Sequence, residues 1–233
     1  MSGGPHYSVV WTRATPPPTA HKTSRTEVTH VTIAFLVLTG DLVIILSGRG
    51  LLYGGNIFAP IPLYFVLLAL AAALTGFIAH EMAHKVVARR LGYWAEFRMW
   101  PFGLLLSIVT SVAGFLFAAP GATLVEGMDP RNTRGWGQTA LAGPSSNLVF
   151  AAIFYVGSLG TFSVNADLSV SLLFLMYINA LFATFNLLPV GPLDGAKVFR
   201  WGARKWAISF AVAAAFLAVS TALYSYGSPF LAW

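Results

Sequence analysis

Polar residues interrupt this chain only at long intervals. Between them lie apolar runs at about 31–47, 61–89, 138–160, 171–189 and 206–226. A helix needs roughly 20 apolar residues to cross a bilayer core, so the pattern predicts an all-α protein of about five transmembrane helices. A sixth run, LLLSIVTSVAGFLFAA at 104–119, is shorter and ends at Ala119-Pro120-Gly121. A span, a re-entrant piece and an inserted hairpin all fit it. Residues 93–100, YWAEFRMW, alternate in part, with Trp94, Glu96, Arg98 and Trp100 against Tyr93, Ala95, Phe97 and Met99. A period of two reads as a strand, and GATLVE at 121–126 reads as a second. A small β segment is therefore expected between the second and third helices, with an interfacial hairpin anchored by Trp and Arg as the other reading. Residues 1–29 are polar, carry PPP at 16–18 and show no signal-peptide pattern. They are read as a disordered cytosolic tail, ahead of one membrane-embedded domain over 30–233.

Composition agrees with that reading. The 233 residues are 57% hydrophobic and 9% charged, with mean hydropathy +0.72, against about 25% charged in soluble domains. The net charge of +6 comes from scattered residues, so a membrane topology explains it and no nucleic-acid surface is expected. With no cysteine in the chain, thiolate metal sites are excluded and a metal must use His, Asp or Glu.

The positive charges orient the spans. Arg13, Lys22 and Arg25 precede the first helix, and Lys85, Arg89, Arg90 and Arg98 lie at the end of the second and just after it. Arg131 and Arg134 precede the third, and Lys197, Arg200, Arg204 and Lys205 follow the fourth. With five spans, 104–119 not crossing and the N-terminus in the cytosol, thirteen of the fourteen Lys and Arg are cytosolic. Arg49 is the exception, and the C-terminus falls outside.

One stretch carries chemistry. Residues 80–84 read HEMAH. Positions i and i+4 share a helix face, so His80 and His84 can bind one metal ion, with Glu81 able to reach a water there. This is the zinc-hydrolase pattern of two imidazoles, a general base and an open position. Glu81 would take the water's proton and return it to the leaving amine. A third ligand is needed, and the two carboxylates in or near other spans are Asp41, in LTGDL, and Asp194, in NLLPVGPLDGAKVFR. His80 lies about 28 Å along its helix from residue 61, near the cytosolic end. Asp194 falls at that depth and Asp41 does not. Around Asp194, Pro189, Gly191, Pro192 and Gly195 break regular helix, and irregular backbone at membrane depth needs protein or a water-filled cavity around it. Asn186 could hold a substrate carbonyl or serve as interhelical glue.

HEMAH at 80–84, AGPSSN at 142–147 and NLLPVGPLDG at 186–195 together resemble the site-2 protease family of intramembrane zinc metalloproteases. The stretch at 91–122 resembles its archaeal branch, and the likeness covers roughly residues 24–205. The resemblance implies one zinc ion per chain held by His80, His84 and Asp194, Glu81 as catalytic acid/base, and Asn186 assisting. It implies a three-helix core formed by the second, third and fourth spans. The expected partners are the bilayer and the transmembrane segment of a membrane-protein substrate, cut within or next to that segment. Two other readings stand beside it: an aspartic protease using Asp41 and Asp194, and a zinc transporter or sensor using the same metal ligands.

Overall fold

The computed structural model describes residues 23–227. Among the described residues, five helices are long and apolar enough to cross a membrane: Arg25–Leu46, Leu63–Arg90, Thr133–Thr161, Ala166–Asn186 and Ala203–Leu223. The protein is thus a multi-pass membrane protein. Residues 1–22 and 228–233 lie outside the described residues, and with them most of the expected tail. That tail's last residues are already helical. Helix α1 spans Arg25–Leu46, and the Ser24 hydroxyl caps it by accepting the Glu27 N–H at 3.0 Å. Ser at this position satisfies one of the amides that a helix start leaves unpaired.

The second span is one rod in three parts: α2 (Leu63–Ala73), a π turn (Leu74–Ile78) and α3 (Ala79–Arg90). Strand β1 (Trp94–Met99), helix α4 (Pro101–Ala113) and strand β2 (Gly121–Glu126) follow. The strands pair antiparallel, from Trp94 opposite Glu126 to Met99 opposite Gly121. Both ends of α4 therefore return to the same sheet. The 13 residues of α4 rise about 20 Å. The chain then reverses at Gly114, whose φ of 122° only glycine adopts readily. The Thr110 hydroxyl receives the Phe117 N–H at 3.1 Å and steadies the return. The 104–119 run thus turns back on itself between the two paired strands, as a hairpin.

Helices α5 (Thr133–Thr161), α6 (Ala166–Asn186), α7 (Asp194–Trp201) and α8 (Ala203–Gly227) complete the described residues. Helix α5 packs against α3, α6 and α7, while α8 packs mainly on α6. Lipid is as apolar as leucine, so close fit and hydrogen bonds rather than hydrophobic burial hold such helices together. Small residues accordingly line the contacts. Ala69, Ala72 and Ala73 meet Phe174, Leu175 and Ile178, and Ala140, Ala183 and Ala213 surround Leu187 and Val198. A third cluster, Ala34, Leu38, Phe77, Phe97 and Leu104, joins α1, the π turn, the sheet and α4. The sheet is thereby pressed onto the rod that carries HEMAH.

Candidate metal centre

Helix α3 brings His80 and His84 onto one face, and the break after α6 lets Asp194 reach them from the first turn of α7. Leu187 to Leu193 is irregular because Pro189 and Pro192 cannot continue a helix and Gly191 takes φ 51°. Gly195 lets this segment fold back: a Cβ there would stand 2.1 Å from the Leu187 carbonyl oxygen. The result is a buried triangle. His80 Nε2 and His84 Nε2 are 3.0 Å apart, and Asp194 Oδ2 lies 3.3 Å from the first and 3.0 Å from the second.

The opposite ring nitrogens fix the tautomers. His84 Nδ1–H donates to the Thr139 carbonyl at 2.7 Å, and a carbonyl can only accept. His80 Nδ1–H donates to Asn147 Oδ1 at 2.6 Å. The Asn147 amide has no freedom to flip, because its nitrogen donates to the Gly76 carbonyl at 3.0 Å and to Asn179 Oδ1 at 3.1 Å. Asn179 in turn donates to the Thr75 hydroxyl at 3.0 Å and the Leu175 carbonyl at 2.9 Å. Asn147 and Asn179 are both wholly buried. The π turn matters here, since its altered ladder turns the Gly76 carbonyl toward α5.

In the neutral form of both imidazoles, which metal binding requires, their Nε2 lone pairs and the Asp194 carboxylate converge on one point, which suits a cation. Gly143 of α5 leaves the space: a Cβ there would lie 2.4 Å from His84 Nε2 and 2.5 Å from His80 Nε2. These three side chains can each offer one ligand atom to a single metal ion. Two imidazoles and a carboxylate, tetrahedral with one position open, fit zinc. The outer contacts fit too, since metal-binding histidines characteristically donate their other N–H to a carbonyl or similar acceptor.

Glu81 sits beside this group and is clasped by β2. The Thr123 hydroxyl reaches Glu81 Oε2 at 2.7 Å and the Thr123 N–H reaches the same oxygen at 2.9 Å. Asn186 stands apart from these contacts, half-buried, with its amide donating to the Phe182 carbonyl of its own helix at 3.0 Å. Asp41 keeps different company from Asp194. It is buried against α4, where Ser111 donates to its Oδ1 at 2.8 Å, so the two aspartates form no dyad. Ser146 donates to the Gly143 carbonyl at 2.8 Å.

Sequence reasoning did not single out Asn147, Asn179, Thr123 or Thr139. Asn147 and Asn179 left a trace: each is a polar residue in an otherwise apolar span, which is costly unless partnered. Thr123 and Thr139 left none, since Thr139 acts through its backbone carbonyl and the partner of Thr123 lies 42 residues away.

No family model matches the chain, and no solved structure matches it. Curated proteins do. "Putative zinc metalloprotease MJ0611" of Methanocaldococcus jannaschii is 39% identical over 145 residues, covering 61% of this chain and 74% of that protein. "Putative zinc metalloprotease Rip3" of Mycobacterium tuberculosis is 32% identical over 146 residues, covering 60% of this chain and 33% of the relative. The identity to the first extends over most of that relative, and the buried His80–His84–Asp194 group supplies the ligands such a protein needs; the chain belongs to the site-2 protease family of zinc metalloproteases.

Proposed function

We propose that the protein is an intramembrane endopeptidase that hydrolyses a peptide bond within or next to a transmembrane segment of a membrane-protein substrate. The observation that carries this reading is the convergence of His80, His84 and Asp194 with Glu81 beside them. His80, His84 and Asp194 hold one zinc ion per chain. Bound there, zinc supplies a Lewis acid and acidifies a water toward a pKa of about 7. Glu81 is the catalytic acid/base. Its carboxylate takes a proton from the attacking water and delivers it to the amide nitrogen as the C–N bond breaks. Asn186 assists by holding the substrate carbonyl. Its amide must turn from Phe182 to do so, a side-chain rotation within its own helix.

The distribution of Lys and Arg supports a cytosolic N-terminus and a metal group inside the bilayer toward the cytosol. His80 lies about 26 Å along the rod from Leu63, close to the end that carries Arg89 and Arg90. A helical substrate hides its peptide bonds, so it must unwind to be cut. The small β1–β2 sheet beside the metal group is the surface we assign to the extended substrate.

The test is metal analysis and cleavage of a model single-span substrate by purified wild type and Glu81→Gln in detergent. About one zinc per chain in both, with cleavage by wild type alone, is the expected result. Zinc in both and cleavage of several substrates by neither would turn the reading to a transporter or sensor. No metal in either would overturn it altogether.

A further inference from the structure

The grip of β2 on Glu81 is unusual in its economy. A carboxylate has two oxygens, and both hydrogen bonds from Thr123 end on one of them, Oε2. The Thr123 hydroxyl also lies 3.1 Å from the Glu81 carbonyl. It has a single proton, and the shorter contact to a charged acceptor is the stronger claim on it. The backbone donor is free for a reason that lies in the sheet. Thr123 stands opposite Phe97, and neither amide bonds across the pair. The Phe97 N–H goes to Glu27 Oε1 at 3.1 Å and the Thr123 N–H goes to Glu81. In an antiparallel ladder such pairs alternate with bonded ones and turn their amides outward. Residue 123 is thus at a register position where a strand can offer a side-chain and a main-chain donor in the same direction.

We propose that Thr123 is a positioning residue for the reaction: its paired donors hold Glu81 Oε2 so that Oε1 faces the attacking water. A glutamate side chain has three rotatable torsions, and ordering it costs entropy at every turnover unless a neighbour has already done so. Two charge-assisted bonds to one oxygen supply that order and leave the other oxygen's lone pairs for the proton. The proposal rests on the metalloprotease reading above. It also makes the sheet more than a docking platform, because a shift of β2 would carry the base with it.

The experiment uses the full chain in detergent, as wild type, Thr123→Val and Thr123→Ser. Valine keeps the shape and the N–H but loses the hydroxyl, and serine restores the hydroxyl. The expected result for Thr123→Val is a kcat about tenfold lower, with KM and zinc content unchanged, and recovery to within about twofold in Thr123→Ser. A kcat within twofold of wild type in Thr123→Val would overturn the proposal. So would equal loss in both variants, or a change confined to KM, which would assign Thr123 to substrate docking instead. A second readout needs no turnover: a double-mutant cycle in thermal unfolding over Glu81→Ala and Thr123→Val. Non-additive shifts in Tm are expected, and additive shifts would overturn the contact itself. Coupled unfolding in a wild type that cuts no substrate would instead sink the protease reading, and the positioning role of Thr123 with it.

Discussion

Two glutamates hold the same small sheet from opposite edges, and they do it differently. Glu27 of α1 accepts the outward amide of β1 at Phe97, and its other oxygen is 2.5 Å from Lys85 Nζ. Both oxygens are engaged, and the side chain is 1% exposed. Lys85 is closed in as well, with the Thr23 hydroxyl at 3.0 Å. Glu81 accepts the outward amide of β2 at Thr123 and leaves its second oxygen for other work. One carboxylate is spent on structure; the other is half-spent and sits beside the metal group. Full pairing is what makes a buried charge tolerable, so the half-paired acid is the one to read as functional. Lys85 links the two, since it follows His84 directly in sequence and ties α1 to the metal-bearing helix.

That contrast predicts opposite profiles for two matched substitutions. Glu81→Gln should lower cleavage by about a thousandfold, the middle of the range for general acid–base groups, while zinc content and Tm stay near wild type. Glu27→Gln should do the reverse. It strands the Lys85 ammonium in the interior, at a cost of about 3–5 kcal/mol, read as a fall in Tm. Replacing Lys85 by Met in the same chain should recover much of that loss, because removing both charges also removes their desolvation. Molecules that remain folded should still cut. If Glu27→Gln instead abolished cleavage at unchanged stability, the division between a structural and a functional grip would fail.

Next in size is Asn147→Leu. Asn147 holds the His80 tautomer through a 2.6 Å contact, and losing such an outer contact costs about 10–100-fold in metal affinity. A zinc competition titration measures it. Affinity within twofold of wild type would show that the His80 ring is set by packing alone.

Much of this could be read from the chain beforehand, for identifiable reasons. Five spans were legible because length and hydropathy alone decide them. His80, Glu81 and His84 were legible because one helical turn fixes their geometry, whatever surrounds it. Asp194 was reached by comparing depth along two helices, and its carboxylate stands 3.3 Å from His80 Nε2 and 3.0 Å from His84 Nε2. Boundaries were less legible: α1 begins at Arg25, inside the expected tail, because the Ser24 cap and the burial of Glu27 draw those residues onto the sheet. The form of 104–119 could not be decided in advance, since nothing within an apolar run shows that the strands on either side of it pair. Thr123 was invisible for the same reason, as its partner is 42 residues away.

The smallest expected effect tests how far the comparison extends into the hairpin. Asp41 of α1 is 2% exposed, and Ser111 of α4 donates to it at 2.8 Å. Like Glu27, Asp41 fastens α1 to the segment between the second and third spans, but deeper along the helix. If it is only a fastening, Ser111→Ala should cost the roughly 0.6 kcal/mol typical of a hydrogen bond between membrane helices, visible as a small drop in Tm. Cleavage should stay within twofold, because β2 keeps its position through the ladder to β1 and through Glu27. A tenfold loss of cleavage at nearly unchanged Tm would mean something else. Helix α4 leads into the extended return and then into β2, so its depth would then be coupled to the placement of Glu81. Glu27 and Asp41 would have to be regarded as two ends of one device that sets the catalytic carboxylate.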